Sequence, residues 1–507
     1  MHVRSVGPAA ILPTLDPLAA PPPAPKPRAA APALDRLELL APVAGLGAVS
    51  PKKPADPRSL AGLPTLVADA QVAALAGGDG PPDPATFVSL RSRLEKARAG
   101  FPPAYRQAVV DPLLAKLDGL GASGYARVLA GDPDRVAEAA LLLDVAQAVL
   151  QRGEGYEARA TAALQEVVSD LYDGFLSEED RRGVKPPDHG VAAPLVRWGR
   201  ADAGPYTWPA TATALLDVGA GVVSLPAPNA SAGLLAWPAL AHETAGHDLL
   251  EADAGLRDEL ARVVRGRLAT EQLGFVAEYF ADRIDETAAD VLGVLNMGPA
   301  AAIGLVGYFR AVNGAWGASP SLRTAGLEED PHPADLVRAY LAAETVRLLS
   351  FDGAAQWADR LVAEADRDLG RIRLGGVTVT PGVAKAAAAV VAKAIVRTKL
   401  AALDGHALGE IQDWRNEDER IVAALRSRIA GKEGASATAG RYVRGAYAAH
   451  AVAAGVYEAV AGSTRPAEVM PRMVELLADM HARNPAWASA SAPRTLAQGC
   501  IPALAEN

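Results

Sequence analysis

The chain has 507 residues, half of them hydrophobic, with 50 Lys and Arg against 59 Asp and Glu for a net charge of −9. That length admits roughly three domains of about 150 residues or one large irregular one, and the acidic balance lacks the basic surplus that holds nucleic-acid phosphates, so no nucleic-acid partner is expected. Its single cysteine, Cys500, excludes an internal disulfide framework and a cysteine-rich zinc ribbon, leaving His and carboxylate to hold any metal.

Aromatic residues are scarce (7 Trp, 11 Tyr, 7 Phe), so Ala, Val and Leu must fill the core, a composition that suits closely packed helices. Residues 1–58 are rich in Pro and Ala, as in Pro21-Pro22-Pro23, and are expected to form a disordered arm. Pro8, Pro13 and Pro17 break the only early apolar stretch, so no secretory signal is read. No window approaches the ~20 uncharged apolar residues of a membrane span. The expectation is a cytoplasmic protein with no membrane partner.

Residues 59–182 read as a helical domain, clearest over Val136–Gln151 and Arg159–Leu176. Residues 183–350 begin differently, with recurrent Gly and Pro, three tryptophans (198, 208 and 237) and a strand over Val218–Leu225 ended by Pro226. Helices return at Leu240–Glu251, Ala254–Ala269, Phe275–Leu295 and Ala334–Leu349. The region 351–507 reads as C-terminal helices, including Val383–Leu400 and Glu419–Ile429, with a short hairpin over Ile372–Val379. The fold class expected is mainly α with a small β element.

One stretch concentrates chemistry. His242-Glu243-Thr244-Ala245-Gly246-His247 sets two histidines around a glutamate. Histidines four apart lie about 40° apart on a helix, whereas five apart lie about 140° apart. An undistorted helix would not aim both rings at one ion, but one extra residue taken up as a π-bulge would, and Gly246 supplies the backbone freedom. A third ligand is sought downstream, where Glu286 and Asp290 lie four apart on one helical face, as do Glu278 and Asp282. Either glutamate can serve. In the first pair Asp290 would accept the free ring N–H of a ligand histidine.

The first stretch resembles the His-Glu-x-x-Gly-His signature of the dipeptidyl peptidase III metallopeptidases. Asp285-Glu286-Thr-Ala-Ala-Asp290 resembles that family's Glu-Glu-x-x-Ala-(Asp/Glu) motif, with Asp285 at the first glutamate position. More broadly the pattern is similar to the gluzincins, zinc peptidases that draw a glutamate ligand from a second helix. The resemblance implies a zincin-like catalytic core over 183–350, with His242, His247 and Glu286 holding Zn2+ and Glu243 as general base. It does not imply release of dipeptides in particular.

The chemistry implied is metal-assisted hydrolysis of a peptide or protein substrate. It needs a donor for the oxyanion, and the candidates are His332, stiffened by Pro331 and Pro333, and Tyr279 on the ligand helix. Arg338 follows in the same region, though Asp335 three residues back is its simplest partner. The Val218–Leu225 strand could pair with an extended substrate. Two alternatives stand beside this reading: a non-haem iron enzyme, since two histidines and a carboxylate also suit iron, and a non-catalytic helical interaction protein whose site is vestigial. Oligomeric state is not legible in the sequence.

Overall fold

Small apolar residues at helical spacing set the architecture: the computed structural model of the chain is mainly α-helical, with one small sheet and one short hairpin. It describes residues 58–130, 136–176, 181–189, 192–317, 319–326, 328–431 and 445–487. Apart from Arg58, the arm expected over 1–58 lies outside the described residues, as does Cys500. Among the described residues no helix is long and apolar enough to cross a membrane.

The principal helices before the sheet are α1 (Leu63–Leu75), α2 (Phe87–Arg98), α3 (Asp111–Leu129), α4 (Val136–Glu154) and α5 (Ala158–Leu176). Three strands follow, β1 (Leu195–Gly199), β2 (Tyr206–Trp208) and β3 (Val222–Pro226). The site region holds α6 (Ala239–His242), α7 (Leu256–Thr270), α8 (Ile284–Met297), α9 (Pro299–Trp316) and α10 (Asp335–Arg347). Beyond it come α11 (Ala354–Ala365), the hairpin β4 (Ile372–Leu374) and β5 (Val377–Val379), α12 (Pro381–Arg397), α13 (Asn416–Ile429), α14 (Ala448–Val460) and α15 (Pro466–His481).

Two hydrophobic cores flank the sheet. Helices α2–α4 bury one, with Leu195 and Val222. α1, α5 and the later helices bury the other, with Val196, Trp198, Val223 and Leu225. Successive strand residues point to opposite faces, so β1 and β3 feed both cores and are buried along their length. The strand order is β1-β3-β2, with β1 parallel and β2 antiparallel to β3. β2 is thus an edge, only partly buried. Pro205 and Pro209 bracket it and hold it to three residues, because proline cannot donate to a ladder.

Most expected elements are present with boundaries moved by a few residues, and the hairpin falls where it was read. Two differ instructively. The strand expected from Val218 starts at Val222, because the Thr213 hydroxyl caps the Val218 and Ala220 carbonyls and holds that stretch as a turn. The helix expected over Phe275–Leu295 is broken between Ala281 and Ile284. There Arg283 folds over the Tyr279 ring, its charge 4.5 Å from the centroid, and donates to the Glu328 carbonyl. Apolar periodicity runs through the break because both pieces bury the same side.

Candidate metal centre

The extra residue between the histidines is absorbed as a π turn. α6 ends at His242 and runs directly into it over Glu243–Asp248. The turn swings the two imidazoles together, with Nε2 of His247 3.1 Å from Nε2 of His242. Asp248 ties the turn to the segment after β2, accepting the Ala210 amide at 2.9 Å. Burial raises the Asp248 carboxyl to about 7.

Gly246 does more than relax the backbone. A Cβ built on it would lie 2.4 Å from the Ala289 Cβ of α8, and one on Gly293 would lie 3.2 Å from the His242 backbone nitrogen. Two glycines, one on each element, therefore let the π turn and α8 touch backbone to backbone. That approach carries Glu286 to the histidines. One oxygen is 3.3 Å from Nε2 of His242 and the other 3.5 Å from Nε2 of His247. Ligand atoms of His242, His247 and Glu286 all lie within 4.8 Å of one another.

The outward nitrogens are each held by a carboxylate. Nδ1 of His242 is 2.9 Å from Asp290, as the sequence suggested, and Nδ1 of His247 is 3.1 Å from Asp285. Such bonds fix the tautomer and turn Nε2 inward. Asp285, the residue that departs from the family motif, thus has a definite place, which its position beside Glu286 alone did not reveal. Arg338 is buried and forks onto Asp290 at 2.7 and 2.8 Å, with Glu286 3.1 Å away. The pairing with Asp335 does not form, because Arg323 occupies that carboxylate.

The charges follow from this geometry. Burial opposes ionisation at Glu286, yet the charges of His247 and Arg338 hold its carboxyl well below the usual range. Burial likewise works against a charged His247, and Asp285 and Glu286 outweigh it, raising the ring well above its ordinary value. His242 is raised in the same way by Asp290 and Glu286. Oε2 of Glu286 is buried and makes no hydrogen bond of good geometry. A set of two imidazole nitrogens and one buried carboxylate fits a divalent metal of borderline softness.

Glu243 is buried, and one of its oxygens accepts the Thr207 hydroxyl at 2.8 Å. Thr207 lies on the edge strand β2, a link that sequence reading missed and that no local pattern carries. His332 reaches the cluster: its Nε2 is 3.2 Å from Glu286 and its Nδ1 2.9 Å from Asp330. Partial burial lowers this ring, but Asp330 and Glu286 raise it to about 9. Tyr279 is not brought to the rings by any hydrogen bond. Its hydroxyl accepts the Ala334 amide at 2.8 Å, so it serves to seat the start of α10. Glu278 points away and pairs on the surface with Arg265, which leaves Glu286 as the carboxylate of the cluster. Comparison with known proteins finds no matching family model, no curated protein and no solved structure of significant similarity.

Proposed function

We propose that the protein is a zinc-dependent hydrolase acting on peptide bonds, with His242, His247 and Glu286 as ligands and Glu243 as general base. The observation that carries this reading is the convergence of two Nε2 atoms and one buried carboxylate, each ring backed by its own aspartate. Catalytic zinc sites take three protein ligands of this kind and keep one position open. Zinc, when bound, supplies the Lewis acidity that lowers the pKa of water toward about 7 and polarises a carbonyl.

The other tasks fall to the chain. The Thr207 hydroxyl fixes one oxygen of Glu243, and the carboxylate takes a proton from the attacking water and returns it to the leaving amine. His332, whose Nε2 lies 3.2 Å from Glu286, is the donor to the developing oxyanion. The free side of β2 accepts an extended substrate by strand pairing. Glu243 supports hydrolysis over the iron alternative, since water activation uses a base beside the metal and oxygen chemistry does not.

The test is metal analysis of wild type and Glu243→Gln combined with digestion of an unbiased peptide library. The expected result is one zinc per chain in both proteins, with cleavage reduced by roughly 10²–10⁴-fold in the variant. Undiminished cleavage in Glu243→Gln would remove the base. Iron in place of zinc would transfer the site to the alternative chemistry.

A further inference from the structure

A concavity lies along α9, the helix that packs against the segment just before His242. It has a volume of about 140 Å3 and opens between α1, α9 and the loop that leads into β2. Its walls follow from helix periodicity. Ala70 and Ala74 lie four apart on α1, and Tyr308, Val312 and Trp316 lie four apart on α9. Small side chains on one helix facing large ones on the other leave a slot that the core does not fill. Trp316 stands at its mouth with 58% of its surface exposed.

Three connections tie the slot to the metal centre. The segment 201–204 that forms one wall ends two residues before Tyr206, the first residue of β2, whose Thr207 holds Glu243. Gly304 and Gly307 press α9 onto Pro238 and Leu235, just ahead of His242. Tyr308 lies one turn on from Gly304, and burial, with the Glu243 charge adding to it, raises its phenol. The loop that walls the slot thus leads directly into the strand whose Thr207 holds Glu243.

We propose that this slot receives one large apolar side chain of the peptide substrate, of benzyl size, and so sets cleavage preference; this rests on the peptidase reading above. The size agrees, since an apolar cavity of about 150 Å3 takes a benzene ring. The chemistry agrees too. Asp202, the acid at the rim, is engaged by Arg200 at 2.9 and 2.8 Å in an exposed pair, while Ala70, Ala74, Val312 and Trp316 supply apolar walls. The indole of Trp316 offers a face for an aromatic ring.

The test fills the slot from two sides, with Ala74→Phe on α1 and Ala203→Phe on the β1–β2 loop, in the full-length zinc-loaded protein. Ala203 is exposed and Ala74 half-buried, so a folding defect in one leaves the other to report. Wild type is expected to cut library peptides beside Phe, Tyr or Leu. In both variants cleavage there should fall by roughly 10–100-fold in favour of Ala and Gly, at unchanged zinc content. The same Phe preference in both variants would overturn the proposal. If zinc-loaded wild type cuts no peptide, the peptidase reading fails, and binding of N-acetyl-phenylalanine amide decides the slot. Affinity weakened by about tenfold or more in both variants would sustain it. Equal affinity in all three proteins, or no binding to wild type, would overturn it.

Discussion

At the scale of single residues, the two aspartates behind the histidines differ in what else they hold. Asp285 faces His247 alone among the ligands, whereas Asp290 also anchors the buried Arg338. Asp285→Asn is therefore expected to weaken zinc binding by about 10–100-fold and to cost the metal-free protein less stability than Asp290→Asn, since Glu286 still faces His247. Asp290→Asn should weaken zinc binding similarly and also cost stability, on the order of 3–5 kcal/mol if Arg338 is left uncompensated. Zinc titration and chemical denaturation of both variants separate the two roles. Which ring each aspartate meets depends on the turn of a different helix and is not written in the local pattern. The Asp290 partnership was legible from its position four residues after Glu286; Asp285 was not.

At the scale of elements, the centre depends on the contact between the π turn and α8. Gly246→Ala would drive a Cβ into Ala289. Overpacking of this kind costs about 1–3 kcal/mol, and the same displacement should withdraw His247 from Glu286 and weaken zinc binding. Gly266→Ala on α7 is the control. Its Cβ would meet nothing within 4 Å, and stability should hold or rise by up to about 1 kcal/mol. Denaturation and zinc titration of the two variants check the contrast.

The packing of α15 and α14 on α5 supplies a second element-scale prediction, far in sequence from the metal ligands. Nδ1 of His481 is 3.1 Å from Glu166, and Arg152 meets its Nε2 at 2.9 Å, an arrangement that suits a neutral ring. Burial, aided by the Arg152 charge, lowers His481 to about 3. On α5 burial raises Asp173 to about 6, Glu166 to about 7 and Asp170 to about 8, with Glu166 adding to the last. A carboxyl that holds its proton more tightly when folded loses stability as pH climbs from its unfolded value of about 4 toward the folded one. The histidine works oppositely, gaining stability only up to about pH 6.5. Within this cluster only the acids act above that. The unfolding midpoint should fall between pH 6.5 and 8.5. Asp170→Asn, which can still accept the Ala448 amide, should recover roughly 1–2 kcal/mol at pH 8.5 and little at pH 5. Thermal denaturation across that range checks it.

At the scale of the whole molecule, a metal held by the proposed ligands would bridge the α6–π-turn segment and α8 and so couple its binding to folding. The ligands come from two segments brought together only in the native state, so a thousandfold excess of zinc over Kd should add about 4 kcal/mol to stability. Chelation should remove that increment, and His247→Ala should abolish the zinc-dependent shift in Tm. Calorimetry with and without zinc measures it.

Composition and helical periodicity determined that this chain packs as helices, and the spacing of His242 and His247 already required a bulged turn if both rings were to meet, because those properties reside in consecutive residues. The family motif pointed to Glu286 from its position beside Asp290, but nothing local excluded Glu278. Only the tertiary structure decided that point, by turning Glu278 outward to Arg265 and sending Glu286 to the rings. It also decided that an edge strand 36 residues upstream holds Glu243, that Tyr279 faces Ala334 instead of the site, and that α1 and α9 leave a slot at the loop leading into β2. The physical reason is common to all four. Where a helix face or a strand edge ends up is settled by side chains far away in sequence, here the glycines and alanines that let backbones touch, and no local pattern records which surfaces they will bring together.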